Sequence, residues 1–137
     1  MEEVINITWN DLHGDGKSIT QSMVALTKDA IDDHVPTGIM PGNYTIGRLV
    51  GTRLNIIYAG RVDYRQDDGL KDRLKEHVGE WPGQLYFYWS PANSVKNSYE
   101  TECRDYHFWL NYEGKLENEI HPRKPDGLDY KCPVCGL

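Results

Sequence analysis

The fold is decided by the stretch Tyr44-Thr-Ile-Gly-Arg-Leu-Val-Gly-Thr-Arg-Leu-Asn-Ile-Ile-Tyr58. Its two halves are rich in β-branched, aromatic and other apolar residues, and a short polar tripeptide, Gly51-Thr-Arg53, separates them. This pattern predicts two antiparallel strands, Tyr44 to Val50 and Leu54 to Tyr58, joined by a short hairpin loop. The hairpin is therefore expected to form the first half of a sheet.

Three segments after the hairpin are expected to complete and cover this sheet. Apolar residues at helical spacing follow Asp68 and end before Gly79, which predicts a short helix with an acidic cap. The aromatic run from Leu85 to Trp89 predicts a central strand that belongs to the core. Between Asn93 and Tyr112 the apolar residues fall on one helical face, which predicts a long helix packed on the sheet. Beyond Gly114 the density of Pro and Gly indicates irregular structure.

A first helix is predicted from Ser18 to His34. Ser18 or Thr20 can cap it, and Pro36 ends it. Its apolar stripe is expected to consist of Ile19, Met23, Leu26 and Ala30.

The length of 137 residues predicts one domain with a single core. The expected class is α/β (α+β), with a small three-stranded, mainly antiparallel sheet flanked by helices. The core is placed at about residues 41–118, an N-terminal helical extension at 1–40 and an irregular Cys-containing tail at 119–137. No stretch has the character of a signal peptide or a membrane span, so a cytoplasmic protein without a membrane partner is expected.

The order of short motifs along this domain resembles the GIY-YIG nuclease family. Gly42-Asn-Tyr44 stands in place of the first family motif and Tyr58-Ala-Gly60 in place of the second, with thirteen residues between them. The segment Leu70-Lys-Asp-Arg-Leu-Lys-Glu-His77 is similar to the family helix that carries an Arg and a His. Tyr99-Glu-Thr-Glu-Cys103 is similar to the helix that presents a Glu, and Asn118 corresponds to the Asn that closes the pattern.

The resemblance implies a metal-dependent endonuclease that hydrolyses phosphodiester bonds in nucleic acid, with DNA favoured over RNA as the partner. By the same resemblance, Glu102 would hold one Mg²⁺ or Mn²⁺, with Glu100 as the fallback, because a hard cation prefers carboxylate and water ligands. Arg73 would present its planar guanidinium to the scissile phosphate.

Two further roles concern the proton of the attacking water. Tyr44, assisted by Tyr58, would accept this proton once its pKa of about 10 is lowered by the metal or by Arg73. His77 is the alternative proton shuttle, because its unperturbed pKa of about 6.5 suits the task. Tyr44 and Tyr58 can also be interpreted simply as a cross-strand aromatic pair.

The cysteines suggest a second metal site. Cys132 and Cys135 have the spacing of a zinc-binding pair, which needs two more ligands for a tetrahedral site. Cys103 and His107 lie four positions apart on the last helix and are the expected partners, with His121 as the competing ligand. Zinc would then attach the tail to the helix that carries Glu102. The alternative is a buried, apolar role for Cys103 and free or redox-active terminal thiols.

The charge of the chain leaves two rival functions open. A formal net charge of −6 opposes simple binding of a polyphosphate, so a nuclease must concentrate its basic residues locally. If it does not, the chain is expected to be a catalytically inactive module that binds nucleic acid or protein, or a zinc-stabilised interaction module. The residues expected to cluster beside Tyr58 and Arg73 in a nuclease are Arg48, Arg53, Arg61, Arg65, Lys71 and Lys75.

Overall fold

A computed structural model describes residues 4–10, 18–63, 69–125 and 127–137 and has an α+β fold. Asp68, the expected helix cap, and Arg65, one of the expected basic residues, lie outside the described residues. The elements in chain order are β1 (Val4–Asn10), β2 (Ser18–Ala25), α1 (Lys28–His34), β3 (Gly42–Val50), β4 (Arg53–Val62), α2 (Leu70–Glu76), β5 (Gln84–Pro91) and α3 (Val95–Glu113).

The strands form one sheet in the order β1-β2-β5-β3-β4, and every neighbouring pair is antiparallel. The predicted hairpin is confirmed as β3 and β4, and the predicted aromatic strand as β5. The expected count of three strands is wrong, because β1 and β2 extend the sheet to five. In the hairpin register Tyr44 lies opposite Gly60, and Ile46 lies opposite Tyr58.

The predicted helix from Ser18 to His34 is wrong over its first half. Ser18 to Ala25 is strand β2, and the helix begins only after Thr27, whose Oγ1 accepts a hydrogen bond of 3.1 Å from the Ala30 amide. The apolar pair Ile19 and Met23 is spaced by four residues, and that spacing keeps two side chains on one face in a helix and in a strand alike. The pattern therefore did not distinguish the two structures.

Helices cover both faces of the sheet. On one face, Ile57 and Phe87 belong to a core cluster with α1 and α2 residues such as Ile31 and Leu74. On the other face, their chain neighbours Ile56 and Tyr86 pack with Trp109 of α3. This two-residue alternation identifies β5 as a central strand that is covered on both sides.

Helix α3 has a polar cap at its beginning and a glycine at its end. Ser94 Oγ accepts a hydrogen bond of 3.0 Å from the Asn97 amide, and Gly114 ends the helix with φ 88°, in the left-handed region that glycine favours. The chain then passes along β4, which is an edge strand. Among the described residues, none of the helices has both the length and the apolar character needed to cross a membrane.

Candidate active site and metal centre

A cavity of about 450 Å³ lies beside the edge strand β4, between residues of α2 and α3. Its lining combines phenol, guanidinium, carboxylate and amide groups from four separate parts of the chain. The lining residues are Tyr58, Arg61, Asp63, Arg73, Glu102, Asn118, Glu119, Ile120, His121, Pro122 and Arg123.

Three of the four residues expected to form the reaction centre line this cavity, namely Tyr58, Arg73 and Glu102. The fourth, Tyr44, does not belong to the lining, because its side chain is only 1% exposed and lies in the core. Its ring stacks near Tyr58, with centroids 6.0 Å apart and planes 16° apart. The expectation that Tyr44 faces the hollow is therefore corrected: Tyr44 lies in the layer behind Tyr58.

Tyr44 begins a chain of hydrogen bonds that leads away from the cavity. Its hydroxyl lies 2.8 Å from Nε2 of the buried His77, and Nδ1 of His77 lies 2.5 Å from a carboxylate oxygen of Glu80. Burial lowers the pKa of His77 below its ordinary value of 6.5, against the opposing effect of Glu80. A neutral imidazole fits this arrangement with Nδ1–H donating to Glu80 and Nε2 accepting from the Tyr44 hydroxyl.

The two phenols are shifted away from ionisation. Burial raises the pKa of Tyr44 well above 10, and burial also raises the pKa of Tyr58. Arg73 acts in the opposite direction on both phenols but does not outweigh burial. In the protein without a bound metal, the neutral imidazole of His77 therefore accepts a proton more readily than the neutral phenol of Tyr44.

Glu102 is held by an arginine that sequence reasoning did not assign to the reaction centre. Arg61 Nη1 donates to Glu102 Oε1, while Arg61 also contacts both carboxylate oxygens of Asp63, at 2.9 and 3.1 Å. Burial raises the pKa of Glu102 to about 7, although Arg61 acts to lower it. Arg61 directly follows the second motif on β4, and Asp63 is the first residue after that strand; this position is the signal that could have identified them.

Of the two other residues taken from the family resemblance, one lines the cavity and one does not. Asn118 lines the cavity and bridges the backbone of Ala59, donating to its carbonyl at 2.8 Å and accepting from its amide at 3.1 Å. Glu100, the fallback for the metal-binding Glu, is not a lining residue. Glu102 is therefore the carboxylate of this pair that faces the cavity.

The described basic residues do not cluster around the cavity as expected. Among the members of that set that the structure describes, only Arg61 lines it. Lys71 and Lys75 both pair with Asp32 of α1, at 3.6 and 2.6 Å, and Arg53 pairs with Glu113. The remaining described member, Arg48, donates to the carbonyl of Pro82.

A second group of side chains, His107, His121, Cys132 and Cys135, has the composition of a metal centre. Their four ligand atoms lie within 4.8 Å of one another. The two Nε2 atoms are 3.1 Å apart, and Cys135 Sγ lies 3.4 Å from the Nε2 of His121. A tetrahedral zinc with ordinary Zn–N and Zn–S bonds spaces its ligand atoms by roughly 3.3 to 3.8 Å. This His₂Cys₂ cluster could bind a metal such as zinc.

The groups around the cluster favour the protonation states in which its side chains coordinate a metal. His121 Nδ1 lies 3.0 Å from the Pro122 carbonyl, so a proton on Nδ1 leaves Nε2 free to coordinate. Burial disfavours the Cys132 thiolate, but the backbone amides of Cys135 and Val134, together with hydrogen bonds to the side chains of His121 and Cys135, outweigh burial and lower the pKa of Cys132 to about 6. The thiolate is the form that binds metal.

Cys103, the expected fourth ligand, is not in this cluster. It is completely buried and packs with Tyr99 and Cys132 in a small core beneath the metal centre. Burial raises its pKa to about 12, which opposes thiolate formation. The competing candidate His121 takes its place, because the tail brings that imidazole within contact distance of His107.

No protein-family model, curated protein or solved structure matches this chain.

Proposed function

We propose that the protein is a metal-dependent endonuclease of the GIY-YIG type that hydrolyses phosphodiester bonds in DNA or RNA. The proposal is supported above all by the cavity in which Tyr58, Arg73 and Glu102 meet. These side chains come from β4, α2 and α3, and each supplies a group that phosphodiester hydrolysis requires.

A divalent cation fits the carboxylate of Glu102. Oε1 is engaged by Arg61, whereas Oε2 accepts no hydrogen bond from the described residues, and the cavity leaves space for water ligands. Mg²⁺ or Mn²⁺ held there would neutralise charge on the phosphate and favour ionisation of water. Arg73 would bind the non-bridging oxygens, where its paired N–H groups stabilise the charge that grows in the transition state.

The protein's own base would act through the two phenols. Water attacks phosphorus, the bond to the leaving oxygen breaks, and that oxygen takes a proton from solvent. The proton lost by the attacking water would pass to Tyr58, the hydroxyl proton of Tyr58 to the neighbouring Tyr44, and the Tyr44 proton to His77. Glu80 then stabilises the imidazolium at Nδ1. Tyr44 therefore serves as the inner member of the relay, while Tyr58 contacts the cavity.

Cleavage assays with end-labelled DNA and RNA in Mg²⁺ or Mn²⁺ test this proposal. We expect Glu102→Ala and Arg73→Ala each to lose at least about a hundredfold in rate, as expected when one stabiliser of the transition state is removed. Glu100→Ala and Lys75→Ala are the matched controls, because they change the same charges on the same helices outside the cavity. Equal rates in all five proteins, native included, would identify a contaminating nuclease.

We also propose that the His₂Cys₂ cluster binds structural Zn²⁺. Metal analysis of protein purified without added zinc should give about one equivalent, and His121→Ala should lower it strongly while Cys103→Ser leaves it unchanged. If Cys103→Ser lowered the zinc content strongly and His121→Ala left it unchanged, Cys103 would be a ligand in place of His121.

A catalytically inactive module that binds nucleic acid or protein is the second candidate. It is favoured by the pairing of Arg61 with Glu102 and by the dispersed basic residues. Oligonucleotide binding without cleavage, unchanged in Glu102→Ala, would support this candidate over the nuclease.

A further inference from the structure

We propose that the His₂Cys₂ metal centre holds the segment 118–123 as one wall of the reaction cavity and thereby presents Arg123 to a phosphate of the bound nucleic acid. This inference deepens the nuclease proposal and rests on it. The residue that links the two sites is His121, which lines the cavity and also belongs to the metal cluster.

The wall is anchored at two points. At one end, the Glu117 amide donates to the Ile57 carbonyl at 2.6 Å, and the Asn118 side chain bridges both backbone groups of Ala59. At the other end, His121 contacts His107 of α3 and Cys135 of the tail. A metal at the second anchor would join α3, the wall and the tail, because each contributes ligands.

Arg123 is the cation in the wall that remains available for a ligand. It lines the cavity, its side chain is exposed, and no ion pair joins it to a carboxylate among residues 4–10, 18–63, 69–125 and 127–137. Arg61, by contrast, is shared by Asp63 and Glu102. A phosphate neighbouring the scissile one is therefore the group that Arg123 would contact, as a guanidinium pairs strongly with phosphate oxygens.

The contact is tested on the full, zinc-loaded protein by fluorescence anisotropy with a labelled DNA duplex, in Ca²⁺ to limit cleavage. We expect Arg123→Ala to weaken binding about tenfold, to lower the slope of log K against log salt by about one, and to keep the native zinc content. Lys131→Ala, an exposed basic residue of the same tail, is the matched control and should leave both quantities unchanged. An unchanged salt slope in Arg123→Ala would overturn the role of Arg123.

The role of the metal is tested by hydrogen exchange, which does not depend on nucleic acid. Removing zinc with a chelator should raise the exchange rate of a peptide covering residues 116–125 at least about tenfold, whereas β5 should retain its protection. Zinc removal should also abolish the binding difference between the native protein and Arg123→Ala. Unchanged exchange at residues 116–125, or an intact effect of Arg123→Ala in zinc-free protein, would overturn the coupling.

The outcomes separate this inference from the proposed function. A native protein that cleaves DNA, combined with normal binding by Arg123→Ala, would reject only the wall contact. A native protein that neither binds nor cleaves DNA or RNA would reject the nuclease and the phosphate contact together, and the exchange experiment would still decide whether zinc orders the segment.

Discussion

The phenol of Tyr44 lies directly over Gly60, its partner on the neighbouring strand. A Cβ atom at Gly60 would come within 2.5 Å of both the hydroxyl oxygen and Cζ of Tyr44. The glycine of the second motif is therefore required by the tyrosine of the first, because only a residue without a side chain leaves room for the ring.

Gly60→Ala should destabilise the fold and disturb the Tyr44–His77 hydrogen bond. Overpacking at such a site costs about 1–3 kcal/mol, and the displaced phenol should lower the cleavage rate as well. Urea denaturation and cleavage assays measure the two effects. Gly47→Ala, on the partner strand β3, is the control: its Cβ would approach Leu54 at 3.1 Å and the Asn55 carbonyl oxygen at 3.3 Å, so it should be milder on stability and neutral on rate. Equal behaviour of the two variants would contradict the steric argument.

The contribution of His77 to the stability of the protein should be lost as the pH drops below about 6.5, whereas burial raises the pKa of Glu102 and of Asp105 to about 7 and gives these two carboxyls the opposite pH dependence. Because folding lowers the pKa of His77, its contribution is complete above the unfolded value and is lost as the pH falls towards the folded pKa. Denaturation at several pH values should show the free energy of unfolding of the native protein falling relative to that of His77→Phe as the pH drops below about 6.5, with exposed His34→Gln as control. Because Glu80 raises the pKa of His77, an NMR titration of Glu80→Gln should place that pKa lower still.

Arg61→Met should destabilise the protein by about 3 kcal/mol, because it leaves the buried Glu102 carboxylate without its partner. Glu102→Gln introduced in the same chain should recover part of this loss, since the neutral amide needs no cation. A thermodynamic double-mutant cycle at about pH 8, where Glu102 with its pKa of about 7 is ionised, measures the coupling. Additive effects of the two substitutions would mean that the ion pair contributes nothing to stability.

Asn118→Ala should cost about 2 kcal/mol, because it removes two hydrogen bonds to the backbone of Ala59. The matched control is Asn111→Ala, an exposed amide on α3, which should change the free energy of unfolding by less than about 0.5 kcal/mol. Chemical denaturation provides the comparison. If Asn111→Ala lowered the free energy of unfolding as much as Asn118→Ala does, the hydrogen bonds to Ala59 would have no special role in stability.

Local patterns predicted the hairpin, β5, α2 and α3 because each of these elements carries an unambiguous period in its own residues. Strand β2 was missed because residues four apart share a face in both regular structures. The remaining errors concern contacts between distant residues. The pairing of Arg61 with Glu102 spans 41 positions, and the choice of His121 over Cys103 depends on the path of an irregular tail. The spacing of residue types along the sequence does not indicate such contacts between distant residues.

The hydrogen bonds between Asn118 and Ala59 also bear on the aggregation of the protein. β4 ends the sheet, and the outer side of an edge strand offers amides and carbonyls to any extended chain that approaches. Glu117 and Asn118 already occupy these groups at Ile57 and Ala59. The segment that lines the cavity therefore also shields this edge from strand-to-strand aggregation.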